Sequence, residues 1–563
     1  MIQDLATDPR VGDYDVCVIG AGPAGITLAA ELAGSGARVV VLESGKLRRT
    51  AHADSLKRVE SEGIHIKDYS RERVLGGAST TWAGLSSPFD EADFAHRPWL
   101  RRSGWPIDRA TLLPYYAAAA ERYRFPGLER FAPGGFDQLR AKSPLKPEWD
   151  DVEEKVFLAC AKPQNFGREH RALFQGGGAD LLLDATVVEL QGAPGSARTD
   201  GALLRTSAGA EVALRAQVYV LATGGLENAR LLLNSRGQRE AGLGNERDQV
   251  GRHLMNHPKN YGGLLRLTQP VGDVPYFFGC LVDGYAGYAG LRLREDVQAR
   301  LGLLNSYVRM EPLFPWSGSE GVESLVWFAK RTQLAMGMMR RRGEKKAVSL
   351  RDYSETGDDS DLQNARKSPR EVLGLAWNVA RDLPRVSRYA WSRVFDRGAP
   401  RTQRVRLRNF MEMEPDPENR VTLSAERCPY GRPIPFVRHR CTEVDRRSLV
   451  QLHRALAIEL PRSGLGLLES ELVRDQEPWP IDQDASHHMG TTRMGADPAT
   501  SVVDSDLRLH EAENVYVAGA STFPTSGCAN PTFTLVALSV RLAEHLRRKH
   551  FSLDGVTSGE RAS

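Results

Sequence analysis

The chain has 563 residues, and its 75 basic and 71 acidic side chains give a formal net charge of +4. Hydrophobic residues make up 41% of the sequence and charged residues 26%, which is the composition of an ordinary globular protein. This composition excludes a disordered chain, a fibrous repeat and a disulfide-stabilised mini-protein. No basic stripe dominates the sequence, so its charge does not indicate a nucleic-acid partner.

Six cysteines are scattered along the chain without a CxxC pair, so the sequence predicts no zinc, iron–sulfur or other metal site. Widely spaced thiols are typical of a reducing compartment, and we therefore expect a cytoplasmic protein. Residues 1–15 are polar and lack the apolar core of a secretory signal, and no apolar run in the sequence is long enough to span a membrane.

The first informative segment is an alternation of strand, helix and strand near the N-terminus. Tyr14–Ile19 is a short apolar run rich in Val and Ile, which predicts a buried parallel strand. A helix pattern rich in Ala and Leu follows from Pro23 to about Leu32, and Ala37–Leu42 predicts a second strand. This is the βαβ context that a dinucleotide-binding glycine motif requires.

The glycine motif is GAGPAG, between the first strand and the helix. Gly20 allows the tight turn, Gly22 lets the backbone approach a pyrophosphate, and Gly25 lets the helix pack closely on the strand. The N-terminus of the helix then faces the phosphate charge. Glu43 follows the second strand, where a carboxylate accepts hydrogen bonds from a ribose diol. These features predict dinucleotide binding and leave FAD and NAD open.

A second glycine-rich segment, RVLGGASTTWAG, occupies residues 73–84. Gly76 and Gly77 carry no side chain, and hydroxyl groups follow at Ser79 and Thr81. These residue types suit a loop pressed against a flat ring, although a surface turn is the simpler interpretation.

Two segments near the C-terminus have the same character. Asn514–Ala518 predicts a buried strand that ends at Gly519, where the backbone could meet a phosphate or a ribityl chain. His487 and His488 are adjacent in the sequence SHHMGTTRMG. In an extended segment neighbouring side chains point to opposite sides, so only one of the two histidines could face a cofactor.

The chain resembles the GMC (glucose–methanol–choline) flavoprotein oxidoreductases over nearly its whole length. The resemblance rests on five motifs in order, which are GAGPAG with Glu43, GGASTTWAG, ATGGLENAR at residues 222–230, VGRHLMNHP at 250–258, and HHMGTTRMG with the later ANPT. These motifs are closest to those of the pyranose- and glycoside-oxidising branch. The resemblance implies an α/β (α+β) fold, in which a Rossmann-like FAD-binding domain assembled from discontinuous segments accompanies a substrate domain with an antiparallel sheet and helices.

The resemblance also implies roles for individual residues. His487 matches the catalytic base, with His488 as the alternative, and Asn530 matches the position that holds the alcohol oxygen. Val187, in a strand predicted at Leu181–Leu190, matches a backbone contact to adenine. The other residues carried over to FAD binding are Gly20, Gly22, Gly25, Glu43, Gly76, Gly77, Ser79, Thr81, Trp82, Gly519, Ala520, Pro531 and Thr532.

One departure from the sugar-oxidising relatives concerns cofactor attachment. Pyranose oxidases carry a histidine in this loop that attaches FAD covalently, whereas this chain has Thr81 there. A threonine cannot form that linkage, so we expect non-covalent FAD.

The function that the resemblance implies is FAD-dependent oxidation of a CH–OH group of a sugar, glycoside or amino-sugar-type alcohol to a carbonyl. Hydride passes to flavin N5, and an electron acceptor, oxygen or a redox carrier, completes the reaction. Three alternatives remain open at this point. They are a GMC-fold dehydrogenase of a non-sugar alcohol, an NAD-dependent Rossmann reductase, and a flavin-fold lyase without redox turnover.

The positions of the motifs predict the domain organisation. We expect the FAD-binding domain at residues 10–90, 165–260 and 480–550, and the substrate-binding domain at 91–164 and 261–479. A helical insert near residues 320–396 is expected to act as a lid or as packing, with binding to a membrane surface as the alternative.

An acidic stretch, EMEPDPENRV at residues 412–421, resembles a strand of the substrate domain. If Glu412, Glu414, Asp416 and Glu418 line the cleft, their charge favours a cationic substrate such as an amino sugar. Solvation of a turn is the simpler interpretation. Many relatives have Gln at the position of Met413, so a polar contact to a sugar hydroxyl is expected to be missing.

Overall fold

The structure is a computed structural model of the whole chain. It describes residues 1–551 except for residues 142, 144, 161, 273, 278–279, 283–284, 332–367, 396–399 and 475–483. One large parallel sheet and one large antiparallel sheet organise the described residues, which confirms the predicted mixed α/β fold class.

The parallel sheet has six strands, and its neighbours all run in the same direction. In order across the sheet the strands are Ile2–Asp4, Asp180–Leu183, Val39–Glu43, Tyr14–Ile19, Ala216–Leu221 and Val515–Val517. The central strands are buried on both faces, which explains their continuous runs of Val, Ile and Leu. The sheet is therefore assembled from distant segments of sequence, as predicted.

The predicted strand–helix–strand unit lies at the centre of this sheet. The first strand has its predicted bounds, and the helix spans Pro23–Leu32. The second strand is Val39–Glu43, slightly later than predicted. Pro23 occupies the first turn of the helix, where its missing N–H has no intrahelical partner to lose.

The antiparallel sheet forms the opposite wall of the molecule's main cavity. Its strands are Val152–Cys160, Lys259–Val271, Cys280–Val282, Tyr285–Leu293, Tyr307–Leu313, Thr402–Phe410 and Gly466–Glu469. Residues alternate between its faces, so Val405 and Leu407 are buried in a core beneath the long helix Glu443–Arg462. Arg408 lies on the opposite face, toward the cavity.

Smaller sheets surround these two. Their strands are Glu60–Glu62, His65–Ile66, Thr186–Gln191, Gly201–Arg205, Glu211–Leu214, Arg420–Arg427, Pro433–Arg438 and Asp484–Ala485. The single strand predicted at Leu181–Leu190 is wrong, because it divides into Asp180–Leu183 in the parallel sheet and Thr186–Gln191 in a separate antiparallel sheet. The chain turns at Asp184, which has a φ of 54°.

The remaining helices cover the sheets and their edges. They are Ala51–Ser55, Glu91–Phe94, Arg109–Tyr123, Pro133–Ala141, Phe166–Glu169, Arg171–Gln175, Gly225–Asn234, Glu295–Leu301, Glu320–Arg331, Pro369–Arg381, Leu383–Phe395 and Thr532–His550. Within the described part of the chain, none of these helices has both the length and the apolar content needed to cross a membrane.

The predicted helical insert is present in part. Glu320–Arg331 packs against two successive helices, Pro369–Arg381 and Leu383–Phe395, around a small apolar cluster that contains Trp316 and Tyr389. The break between these two successive helices falls shortly before Pro384, because a proline cannot continue a helix. Residues 332–367 of the expected insert lie outside the described residues.

The structure corrects the interpretation of the acidic stretch. Residues 411–419 form no strand, and the neighbouring strand begins at Arg420. None of the four carboxylates lines the cavity, so the electrostatic argument for a cationic substrate is wrong. Each carboxylate instead has a basic residue within ion-pair distance: Glu412 has Arg97, Glu414 has Arg101, Asp416 has Arg440 and Glu418 has Arg252.

The pair between Arg97 and Glu412 is the most buried of the four. Two guanidinium nitrogens donate to the two carboxylate oxygens at 2.8 and 2.6 Å, and the side chains are 5% and 0% exposed. The Glu412 carboxylate also accepts the backbone N–H groups of Asn305 at 2.6 Å and Gly527 at 3.2 Å. Burial alone would raise the pKa of Glu412, but Arg97 holds it below its ordinary value. This carboxylate therefore joins three separate segments.

We predict that Arg97→Met destabilises the protein by about 3–5 kcal/mol, because the variant leaves a buried carboxylate without its counter-ion. Urea unfolding of the holoprotein measures this change. Arg101→Met is the matched control, since the Arg101 side chain is 70% exposed and lies 3.9 Å from Glu414. The control is expected to change stability by less than about 0.5 kcal/mol. Equal stability of the two variants would contradict the role given to Glu412.

Candidate active site

A cavity of about 580 Å³ is lined by residues from both large sheets. Most of the residues predicted to hold the cofactor or to act in catalysis line it. They are Gly20, Gly22, Glu43, Gly77, Ser79, Thr81, Trp82, Val187, His487, Gly519, Ala520, Asn530, Pro531 and Thr532. The fold thus brings together residues that are up to several hundred positions apart in the sequence.

Two predicted residues, Gly25 and Gly76, do not line the cavity but support the loops that do. A Cβ atom on Gly25 would lie 1.9 Å from the carbonyl oxygen of Gly20, so only glycine permits this contact between helix and strand. Gly76 has a φ of 100°, and its N–H donates to the carbonyl oxygen of Ala21 at 2.9 Å. The two glycine-rich loops are therefore bonded to each other.

Glu43 lies at the end of its strand, beside the first glycine loop. Its carboxylate accepts the N–H groups of Ala21 at 3.2 Å and Gly45 at 2.8 Å. Burial raises the pKa of Glu43, and these hydrogen bonds oppose that effect. The side chain is held in place at the cavity, where a ribose diol could reach it.

The loop that contains Ser79, Thr81 and Trp82 is held by its own polar groups. The hydroxyl of Ser79 donates to the carbonyl oxygen of Gly76 at 2.6 Å, and that of Thr81 donates to the carbonyl oxygen of Tyr69 at 2.9 Å. The indole N–H of Trp82 donates to the carbonyl oxygen of Gln164 at 2.7 Å. These bonds position the loop as one wall of the cavity.

A buried ionic cluster beside this loop was missed by the sequence analysis. Glu227 contacts Arg71 at 3.3 Å, Arg73 at 3.0 Å and Arg230 at 2.9 Å. Burial alone would raise the pKa of Glu227, but the three arginines lower it to about 2. Glu227 and Arg230 lie in the ATGGLENAR motif, yet the spacing of the motif gives no sign of the two distant arginines.

His487 is held by a second histidine, His257. Nδ1 of His487 lies 2.9 Å from Nδ1 of His257. Nε2 of His257 lies 2.9 Å from the carbonyl oxygen of Gly527 and 3.3 Å from that of Ser526. Burial lowers the pKa of His257 to about 4, so His257 is neutral near pH 7.

These contacts assign the tautomers of both rings. A carbonyl oxygen can only accept, so Nε2 of His257 carries the proton and its Nδ1 is an acceptor. Nδ1 of His487 must then donate to it, which leaves Nε2 of His487 with a lone pair. Burial, followed by the charges of His257 and Lys259, holds the pKa of His487 well below its ordinary value. His487 can accordingly accept a proton at neutral pH.

The alternative base, His488, differs from His487 in the hydrogen-bond partners of its ring nitrogens. Nδ1 of His488 lies 3.1 Å from the side-chain oxygen of Asn256, and Nε2 lies 3.2 Å from the hydroxyl of Ser70. Burial lowers the pKa of His488 to about 3. Both nitrogens are therefore occupied by protein groups, and this arrangement favours His487 as the base.

The wall opposite the glycine loops comes from the antiparallel sheet, and the sequence analysis assigned no role to its residues. The side chains of this wall that line the cavity are Lys259, Tyr288, Tyr307, Arg309, Arg408 and Phe410. They lie on one face of four neighbouring strands, which are Lys259–Val271, Tyr285–Leu293, Tyr307–Leu313 and Thr402–Phe410. The alternation of basic and apolar residues along a strand predicts a polar face, but it does not predict that this face lines a cavity.

The cavity has room for a dinucleotide where the glycine loops meet it. A Cβ atom added to Gly22, Gly224 or Gly519 would meet no protein atom within 4 Å. All three glycines line the cavity, so side chains at these positions would enter the space beside the two phosphate-binding turns. The N-terminus of the helix Pro23–Leu32 faces the same space and favours a phosphate. The residues present therefore fit FAD, which would be held by both glycine loops, Glu43 and Val187.

Comparison with protein families agrees with this geometry. Residues 15–247 match the FAD dependent oxidoreductase family, and residues 415–539 match the GMC oxidoreductase family. The protein is thus an FAD-dependent oxidoreductase.

The chain is also similar to individual oxidases. The chain is 25% identical to 6'''-hydroxyparomomycin C oxidase of Streptomyces lividus, covering 96% of this chain and 93% of that protein. It is 36% identical to C-glycoside 3-oxidase of Microbacterium trichothecenolyticum over 45% of this chain and 48% of the relative. The structure of pyridoxine 4-oxidase from Mesorbium loti has the same fold, with a TM-score of 0.56 at 16% identity, covering 96% of this chain and 100% of that one. The chain therefore carries a GMC oxidoreductase C-terminal domain at residues 415–539 and has relatives that are named as oxidases.

We predict that Gly22→Ala weakens FAD binding without destabilising the apoprotein. Gly22 has a φ of −84°, which alanine adopts without strain, and the new methyl group would point into the cavity. Gly374→Ala is the matched control, since its new methyl group also meets nothing within 4 Å but does not line the cavity. Flavin fluorescence titration of the apoproteins measures the two affinities. Unchanged FAD affinity in Gly22→Ala would contradict this placement of the dinucleotide.

Proposed function

We propose that this protein oxidises a CH–OH group of a sugar, glycoside or amino-sugar-type alcohol to a carbonyl, with His487 as the general base. FAD supplies the hydride acceptor when it is bound. The observation that carries the proposal is the pair of histidines, which leaves one neutral nitrogen of His487 with a lone pair beside the cavity.

The base is needed because a hydride leaves an alcohol carbon with difficulty while the oxygen keeps its proton. A positioned imidazole that accepts this proton contributes about 10²–10⁴-fold to the rate. In this protein His257 fixes the orientation of His487, and the carbonyl oxygens of Ser526 and Gly527 fix that of His257. Asn530, which lines the same cavity, would hold the alcohol oxygen through its amide.

The substrate class is supported by the relatives and by the walls of the cavity. One relative is named as an oxidase of hydroxyparomomycin and another as an oxidase of C-glycosides. Tyr288, Tyr307 and Phe410 provide flat aromatic surfaces on the wall opposite the glycine loops. Amino-sugar alcohols stay within the proposal because of the relative named as 6'''-hydroxyparomomycin C oxidase, although the carboxylates of residues 412–418 do not line the cavity and do not support it.

Two of the three alternatives weighed on the sequence have less support, whereas a dehydrogenase of a non-sugar alcohol has a relative named as 2-methyl-1,2-propanediol dehydrogenase. An NAD-dependent reductase leaves the match to the FAD dependent oxidoreductase family unexplained. A lyase has no support among the relatives, which are named as oxidases and dehydrogenases. The electron acceptor, oxygen or a redox carrier, would distinguish an oxidase from a dehydrogenase.

We predict that His487→Ala slows anaerobic flavin reduction by a glycoside substrate about 10²–10⁴-fold, because the proton of the alcohol loses its acceptor. Stopped-flow absorbance of the flavin measures the rate, and the FAD content of the variant is checked first. His96→Ala, at an exposed histidine outside the cavity, is the control and is expected to reduce normally. Flavin reduction at the wild-type rate in His487→Ala would end this assignment.

The pH dependence follows from the lowered pKa of His487. A lowered pKa keeps the base unprotonated at neutral pH, so kcat/KM should stay constant as pH falls from 8 and decline only below about 6.5. A steady-state pH profile measures this limb. An acid limb centred at about pH 6.5 or above would disagree with the described environment of His487.

We also propose that FAD is bound non-covalently, and predict that acid precipitation releases the flavin into the supernatant. Thr81 lines the cavity, but its hydroxyl donates to a backbone carbonyl and cannot form a flavin bond. Absorbance of the supernatant and the pellet measures the distribution. Yellow colour retained in the washed pellet would show that another residue forms a covalent bond.

A further inference from the structure

A second, smaller pocket lies outside the active site and shares no lining residue with the main cavity. We propose that this pocket binds a doubly charged tetrahedral oxyanion, hydrogen phosphate or sulfate, through the guanidinium groups of Arg102 and Arg493. The inference goes beyond the proposed function and does not depend on it.

The pocket has a volume of about 210 Å³ and a basic lining. A cavity needs only about 10–15 Å³ of such space to hold one water molecule, so the pocket has room for a small anion. Its charged or titratable lining residues are three arginines, one histidine and one carboxylate, namely Arg102, Arg247, Arg252, His253 and Asp248.

The observation that carries the inference is the state of Arg493. This side chain is 7% exposed, and its Nε and Nη1 atoms are enclosed by protein without a hydrogen-bond partner. In the described part of the chain, no carboxylate lies within ion-pair distance of Arg493. A buried charge is costly unless it is paired and hydrogen-bonded. The chain therefore leaves this guanidinium to a partner from outside.

Arg493 lies next to residues that line the pocket. Burial lowers the pKa of Arg493 to about 10, and the positive charge of Arg102 contributes to the same effect. The pKa of His253 falls to about 3, because of burial and then because of the charge of Arg493. Arg493 thus remains a cation at pH 7, and His253 remains neutral. Arg102 is exposed and also has no carboxylate partner among the described residues.

The other charges around the pocket compensate each other. Three arginines and three carboxylates form these ion pairs, namely Arg247, Arg252, Arg420, Asp248, Glu418 and Glu511. Arg247 lies 2.6 Å from Glu511, and Arg420 lies 2.7 Å from Asp248. Asp248, which borders the pocket, also contacts Arg252. The uncompensated charges are therefore those of Arg102 and Arg493, and two guanidinium groups match the charge of a dianion.

His253 offers a hydrogen-bond acceptor that favours phosphate over sulfate. Its Nδ1 lies 2.9 Å from the carbonyl oxygen of Pro415, so Nδ1 carries the proton and Nε2 has the lone pair. Nε2 has no hydrogen-bond partner in the described residues. Hydrogen phosphate has a hydroxyl group that can donate to this nitrogen, whereas sulfate has none at neutral pH.

The pocket is connected to the segments that hold the histidine pair of the active site. Residues 251–257 and 487–493 run side by side, and Met255 and Met489 exchange two backbone hydrogen bonds at 3.0 and 2.9 Å. The histidine pair is at one end of this pairing, and Arg493 is at the other. An oxyanion bound to Arg493 would therefore hold the far end of the same structure.

Titration calorimetry of the holoenzyme with inorganic phosphate, at constant ionic strength, tests the inference. We expect one saturable site per chain. Arg493→Met should weaken the binding of phosphate at least about ten-fold, as the loss of a charge-assisted hydrogen bond implies. Arg102→Met should weaken it several-fold, and this variant changes only an exposed side chain. Arg101→Met is the matched control, because Arg101 is the 70% exposed neighbour that does not line the pocket.

No saturable binding of phosphate would overturn the inference, and so would wild-type affinity in both Arg493→Met and Arg102→Met. An equal loss of affinity in Arg101→Met and Arg102→Met would also overturn it, since the effect would then follow net charge and not the pocket. If Arg493→Met does not fold, the comparison of Arg102→Met with Arg101→Met decides.

Sulfate and acetate, titrated in the same way, identify the kind of anion. Weaker binding of sulfate than of phosphate supports a hydrogen bond from the phosphate hydroxyl to His253, and equal binding supports selection by charge alone. Acetate carries a single charge and should bind several-fold more weakly than phosphate. Binding of acetate as tight as that of phosphate would contradict a site for a dianion.

Discussion

The geometry of the active site depends on one buried carboxylate, that of Glu412. It holds Arg97 and accepts the backbone N–H groups of Asn305 and Gly527. The carbonyl oxygens of Gly527 and its neighbour Ser526 accept hydrogen bonds from Nε2–H of His257, which in turn orients His487. A charge pair far from solvent is a poor source of stability by itself, but a broken one is costly. The pair of Arg97 and Glu412 therefore fixes the loop at Ser526 and Gly527, on which the tautomers of the two histidines depend.

The two sheets divide the chemistry between them. Glycine turns at the ends of parallel strands leave space and N–H groups for a dinucleotide, as is usual where such strands end. In the antiparallel sheet, successive side chains of each strand point to opposite faces. One face packs on a buried apolar core, and the other is a wall of basic and aromatic side chains. The histidine pair lines the cavity to which both walls contribute. In the proposed function, one sheet would bind the cofactor, the other would face the substrate, and the base would act in the space they share.

The sequence predicted the parts of the site that local pattern determines. The spacing of glycines after a buried strand predicted the roles of Gly20, Gly22 and Gly25 in binding a dinucleotide. The resemblance to GMC enzymes predicted His487 as the base. The role of His257 could not be predicted, because its partner is 230 residues away in the sequence. The acidic stretch was misread for the same reason. Spacing predicted that these carboxylates share a strand face, but the segment forms no strand, and only the tertiary structure shows that Arg97 and Arg440 neutralise two of them.

The central claim is that His257 fixes His487 as a neutral base whose Nε2 has a lone pair. Nitrogen-15 NMR of the holoprotein with labelled histidine tests it most directly, with signals assigned by loss in His487→Ala and His257→Gln. At pH 7 the account predicts protonation at Nδ1 alone in His487 and at Nε2 alone in His257. A doubly protonated His487, or one that carries its proton on Nε2, would contradict the account.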